Sequence, residues 1–133
     1  MKMKLAIIGV GLIGGSLGLC LKKEMGKDIF ITGLCRTQKS MDLAVELGAV
    51  DMAAPDVRAV VEDADIVFLA TPVLQMVPML GKILPHLKQG AILTDAGSTK
   101  AYLWQHIQGI LPAGVYYIAG HPMTGREKSG VEA

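Results

Sequence analysis

Short apolar runs alternate along the chain with stretches whose apolar residues recur every three or four positions. Residues 4–8 are an aliphatic run that stops at Gly9, which predicts a strand buried on both faces. From residue 12 to about 25, Ile13, Leu17, Cys20 and Leu21 follow helical spacing, with Lys22 and Lys23 in the last turn and Gly26 placed to end it. Further along, the pattern predicts a strand at 29–33, a helix at 38–47 closed by Gly48, a brief strand near 50–52 and a short helix at 57–64. It then predicts strands at 66–70, 91–94 and 115–119, with helices from about 75 to 84 and about 99 to 110 between them. Pro78 conflicts with a helix begun at Pro72 but is tolerated in the first turn of one begun near Gln75, so the later start is expected. Strands without a polar face, alternating with helices, indicate an α/β fold: a doubly wound parallel sheet of about six strands, helices on both faces. No repeat, linker or low-complexity segment divides the 133 residues, so one domain, 1–133, is expected. Residues 121–133 are polar and add no closing element, which reads as an architecture that continues beyond them.

Composition narrows the function classes. Hydrophobic residues make up 51% of the chain, and 13 basic against 12 acidic side chains leave a formal charge of +1. That balance supports a packed core and gives no basic face for nucleic acid or a membrane surface. No apolar stretch reaches the roughly 20 residues that span a bilayer, and five glycines interrupt the leader-like start between Gly9 and Gly18. Cys20 and Cys35 lie in apolar stretches and form no CxxC pair, so both are expected as buried, reduced thiols in a cytoplasmic protein. Two scattered cysteines and three separated histidines make no metal site, and His86 and His106 read as surface or capping residues on helices.

Gly9-Val10-Gly11-Leu12-Ile13-Gly14 is a GxGxxG turn that leaves one predicted strand and opens a predicted helix. In that context the spacing is mechanical: Gly9 permits the tight turn, Gly11 admits a pyrophosphate against the backbone, and Gly14 lets helix pack on strand. The helix start at Leu12 and Ile13 then offers unpaired N–H groups and a positive dipole end to the phosphates of a Rossmann-type cofactor. No Gly-Lys-Ser/Thr follows, which excludes a phosphate-loop NTPase. A ligand-free glycine corner is the bland alternative.

An acid at the end of the second strand would bind the adenine-ribose 2′-hydroxyl of NAD. The chain instead reads Gly33-Leu34-Cys35-Arg36-Thr37-Gln38-Lys39-Ser40. Arg36 could pair with a 2′-phosphate and stack on adenine, with Thr37 or Ser40 adding a hydroxyl. The reading leans to NADP; a solvated arginine, and with it NAD, stays open. Three other strand ends carry polar chemistry: Thr71-Pro72, expected to lie along the cofactor; Asp95-Ala96-Gly97-Ser98-Thr99-Lys100; and Gly120-His121-Pro122-Met123-Thr124-Gly125-Arg126-Glu127-Lys128-Ser129-Gly130. Asp95 could order its loop or reach the cofactor. Ser98 could cap the following helix and also face the ligand. His121, with an ordinary pKa of about 6.5, suits a base that takes a hydroxyl proton as hydride leaves the same carbon.

The glycine turn with Gly15-Ser16, the segment from Asp95 to Lys100 and the block from Gly120 to Gly130 resemble the prephenate dehydrogenase family, including its arogenate relatives. The resemblance runs along the whole chain, the His121-to-Gly130 block being its most specific part. It implies oxidative decarboxylation of prephenate, or of arogenate, in tyrosine biosynthesis, with hydride passing to NAD(P)+. It also implies that His121 receives the ring-hydroxyl proton, Ser98 binds that hydroxyl and orients His121, and Glu127 lies at the substrate entrance. The family's second, helical domain, which forms its homodimer and adds substrate-carboxylate contacts, has no counterpart in these 133 residues. The chain alone is therefore expected to bind cofactor and to turn over poorly. Thr124 stands where alanine is common in the family, and Arg36 replaces the acid of many members. Rival readings are a β-hydroxyacid or imine reductase sharing the first domain, and a non-catalytic NAD(P)-sensing module.

Overall fold

The computed structural model describes residues 2–9, 12–71, 73–95 and 110–118. Six strands form one parallel sheet: β1 (Met3–Ile8), β2 (Ile29–Leu34), β3 (Met52–Ala54), β4 (Ile66–Leu69), β5 (Ile92–Asp95) and β6 (Tyr116–Ile118). Their spatial order is β3-β2-β1-β4-β5-β6, so the chain winds outward one way from β1 to β3 and then crosses to β4 and winds the other way. The helices are α1 (Leu12–Met25), α2 (Gln38–Glu46), α3 (Val57–Val61) and α4 (Val73–Ile83), with single 3-10 turns at Gly26–Asp28 and Leu84–His86.

Alternation along β1 sorts the core into two layers, because successive side chains of a strand point to opposite faces. Ala6 and Ile8 pack with Val60 and Val61 of α3 and Leu80 and Ile83 of α4. Leu5 and Ile7 pack with Ile29 and Ile31 of β2 and with Ala44 of α2, joined by the half-buried Leu21 and Met25 of α1. Helices thus cover both faces, and the doubly wound expectation holds.

Several boundaries differ from the sequence reading. The helix expected from Gln75 begins at Val73, so Pro78 lies inside it rather than in its first turn. An interior proline costs about 3 kcal/mol by removing one hydrogen bond and crowding the carbonyl four residues back. Here Pro78 sits on the exposed side of α4, while Leu80 and Ile83 two and five residues on are fully buried. Burying two such side chains contributes about 3–6 kcal/mol, which outweighs the lost bond. The third strand falls at Met52–Ala54 and α3 ends at Val61, short of residue 64. Cys35 is buried as expected, but Cys20 is exposed, and neither is disulfide-bonded. The inward stripe of α1 is Gly14, Gly18, Leu21 and Met25 rather than one containing Cys20, because the helix packs through its glycines. The expected helix at 99–110 lies, apart from Ile110, outside the described residues. No helix among the described residues is long and apolar enough to cross a membrane.

Candidate functional site

A cleft of about 420 Å³ opens at the carboxyl ends of β2, β1 and β4. That is the edge where open parallel sheets bind ligands, beside the point where the winding direction reverses, and the volume lies within the range of small-molecule sites. Gly9 and, from the end of β4, Ala70 and Thr71 line its middle. Leu34 and Cys35 lead into Arg36, Thr37 and Ser40 at the start of α2, and Gln75 and Met79 come from α4.

The strand-to-helix corner is built so that only glycine fits at two of its positions. Gly9 has φ +90, and a Cβ there would stand 2.8 Å from Thr71 Cγ2. A Cβ on Gly14 would stand 2.7 Å from the Gly9 carbonyl oxygen and 2.9 Å from Ile7 Cγ2. Both glycines therefore do what the spacing predicts, the turn at Gly9 and the close approach of α1 to β1 at Gly14. Leu12 and Ile13 occupy the first turn of α1, directly beyond that corner.

Thr71 adds a second mark of a ligand cradle. Its Oγ1 is enclosed and has no hydrogen-bond partner among the described residues. A buried hydroxyl left in that state costs about 1–3 kcal/mol, a debt that a polar ligand entering the cleft can cancel. Glycines that admit a backbone-hugging group, a helix start behind them and a polar atom awaiting a partner together fit a dinucleotide.

Arg36 is exposed at the rim, and no aspartate or glutamate is among the cleft's described lining residues. The expected hydroxyls are partly engaged: Ser40 N–H donates to Thr37 Oγ1 at 3.1 Å, and Thr37 Oγ1 donates to Ser40 Oγ at 2.8 Å, capping α2. Cys35 faces the cleft from a buried position, and burial pushes its thiol pKa up, so it stands there as a neutral group.

Asp95 is placed apart from this cleft. It ends β5, is 1% exposed, and accepts a hydrogen bond from Tyr117 Oη of β6. Burial first, and then the Asp95 carboxylate, push the Tyr117 phenol far above its ordinary range. The structure thus brings together Gly9, Gly14, Arg36, Thr37 and Thr71 and leaves Asp95 two strands away from β1. Gly11, Pro72, Ser98, His121 and Glu127 lie outside the described residues. Sequence reasoning missed Gln75, Met79 and Tyr117. The first two are one helical turn apart after a strand end, a signal obscured when the helix start is set at Gln75 instead of Val73.

A family model described as "Prephenate dehydrogenase, nucleotide-binding domain" matches residues 17–133. The chain is 36% identical over 135 residues to a prephenate dehydrogenase of Bacillus subtilis, covering 100% of this chain and 36% of that protein. It is similar to the crystal structure of the Aquifex aeolicus prephenate dehydrogenase in complex with hydroxyphenyl propionate and NAD+ (TM-score 0.81, 34% identity, 99% of this chain, 46% of that one). It also resembles the arogenate dehydrogenase of Synechocystis (TM-score 0.77, 37% identity, 90% of this chain, 40% of that one). The chain spans between about a third and a half of the length of these relatives. On a match that covers most of its residues, and with the sheet order and glycine corner described above, the chain belongs to the prephenate dehydrogenase family, to its nucleotide-binding domain.

Proposed function

We propose that the chain holds NAD(P)+ for an oxidative decarboxylation of prephenate, or of arogenate, within a cytoplasmic enzyme of tyrosine biosynthesis. The observation that carries this reading is the cleft itself: Gly9 at φ +90, Gly14 pressed on the Gly9 carbonyl, and a Thr71 hydroxyl with no hydrogen-bond partner among the described residues, all at one sheet edge. The NAD+ complex of the Aquifex relative supports a nicotinamide dinucleotide in that place. The Synechocystis relative keeps arogenate open as the substrate.

Between the two cofactors the residues favour NADP+. Arg36 stands at the rim where an acid would select the free ribose hydroxyl, and no carboxylate lines the cleft among the described residues. The N-terminus of α2 opens there too, adding the positive end of a nine-residue helix beside the guanidinium. A 2′-phosphate placed there gains a charge-assisted hydrogen bond from Arg36.

When bound, the nicotinamide supplies the hydride acceptor. In our proposal His121 takes the proton of the substrate ring hydroxyl as the hydride leaves the same carbon, and the ring carboxylate departs as carbon dioxide. Aromatisation supplies the driving force, so the protein's main task is to position the parts. Ser98 holds the hydroxyl and orients His121, Glu127 lies at the entrance, and Thr71 and Pro72 lie along the cofactor. A helical domain outside these 133 residues supplies further carboxylate contacts and the homodimer interface.

The test is calorimetric titration of NAD+ and NADP+ into the wild-type chain and Arg36→Ala. Loss of about 1.5–3 kcal/mol, roughly 10- to 150-fold, in NADP+ affinity alone is expected when a hydrogen bond to a charged group is removed. Equal effects on both cofactors would end the NADP assignment, and failure of wild type to bind either would end the dinucleotide reading.

A further inference from the structure

We propose that Gln75 reads the adenine base of the dinucleotide, its side-chain amide pairing with the exocyclic amine and ring nitrogen of the purine. The inference rests on the dinucleotide reading above and goes beyond it by naming a residue that selects the base.

Three observations carry it. Gln75 lines the cleft from the first turn of α4, on the β4 side, while Arg36 lines it from the β2 side; β1 and its Gly9 corner lie between those strands. With Arg36 assigned to the ribose, a group reaching in from α4 meets the part of the nucleoside beyond the sugar. Next, the cleft that Gln75 lines also includes the apolar or neutral Leu34, Cys35, Ala70 and Met79. Met79, one helical turn on from Gln75, is itself packed against the core and so fixes the face that α4 presents. Those four residues give a flat heteroaromatic ring apolar contact. Finally, the Gln75 amide is exposed and has no hydrogen-bond partner among the described residues, whereas Gln38 on α2 is tied to Asp42 at 2.8 Å. A free glutamine carries one acceptor and two donors in a plane, the complement of the adenine N6 and N7 edge.

The experiment compares NAD+ with its deaminated analogue, nicotinamide hypoxanthine dinucleotide, in which a carbonyl replaces the exocyclic amine. Affinities are measured by calorimetry for wild type, Gln75→Leu and Gln75→Glu; the position is exposed in a helix, so both variants keep the fold. Wild type is expected to prefer the adenine form by at least about fivefold. Leucine should bring that ratio to about one. Glutamate keeps the acceptor for the amine but has no donor, so it should bind both forms more weakly and still prefer adenine. A wild-type ratio near one, or a ratio unchanged in the leucine variant, overturns the assignment while leaving dinucleotide binding intact. Absence of binding to either compound in wild type overturns the dinucleotide reading, and this inference with it.

Discussion

Gly14 lies where α1 begins its packing on β1, and a methyl group there would press to 2.7 Å from a carbonyl oxygen and 2.9 Å from a buried isoleucine methyl. Neither neighbour can swing away, since one is backbone and the other belongs to the fully buried Ile7. Gly14→Ala is therefore expected to cost about 1–3 kcal/mol in urea unfolding, the usual range for overpacking. It should also weaken dinucleotide binding, because any relief moves the helix start away from Gly9. Normal affinity in a destabilised Gly14→Ala protein would show that the corner is merely structural. Tyr117 allows a sharper test, through pH. Burial and the hydrogen bond to Asp95 raise its folded-state pKa, so the neutral phenol stabilises the fold below the ordinary tyrosine pKa of about 10. Above that pH the unfolded chain ionises and the folded one does not, so this stability declines with further rise. Wild type should lose urea stability from about pH 10 upward more steeply than Tyr117→Phe. The variant should be weaker at pH 7, where the Tyr117–Asp95 hydrogen bond is lost. Parallel alkaline profiles for the two proteins would remove Tyr117 from the account.

At the scale of the element, α1 shows why one helix can tolerate and forbid the same change. A Cβ on Gly18 would stand 2.0 Å from the Ala49 carbonyl oxygen, whereas one on Gly15 meets nothing within 4 Å. Gly18→Ala must push α1 off the segment between α2 and β3. Gly15→Ala only removes backbone freedom from the unfolded chain and should stabilise by up to about 1 kcal/mol. Thermal melts of the two variants are expected to shift in opposite directions, and a shared direction would contradict the packing described. The same glycines explain what could be read beforehand. Strands such as β1 and β4 were legible because aliphatic runs between turn residues have few alternatives, and α2 was legible from Gly48, which takes φ +82 just past its end. The inward face of α1 was not, because glycine contributes no hydrophobic signal, and the visible apolar stripe drew Cys20 inward wrongly. In the site, Gly9, Gly14, Arg36 and Thr71 were legible from spacing and strand ends. Gln75 and Met79 were not, since Pro78 made the helix seem to start later than tertiary packing allows.

For the whole molecule, the sheet order divides the proposed chemistry between two ends of one edge. In our proposal the adenosine half lies over β2, β1 and β4, whose carboxyl ends border the described cleft. In our proposal the reacting half falls on the β5 side, is served by Ser98 and His121, and also needs carboxylate contacts from a helical domain. Binding and turnover should then separate. The 133-residue chain is expected to bind NADP+ or NAD+ in calorimetry. With prephenate or arogenate it should reduce the cofactor at least roughly a hundredfold more slowly than a full-length relative, the effect of losing about 3 kcal/mol of contacts to a charged substrate group. Turnover at the relative's rate would sink the helical-domain contribution and leave the cleft standing. Failure to bind either cofactor would sink the cleft's assignment whatever the turnover, so the two halves of the proposal fail separately.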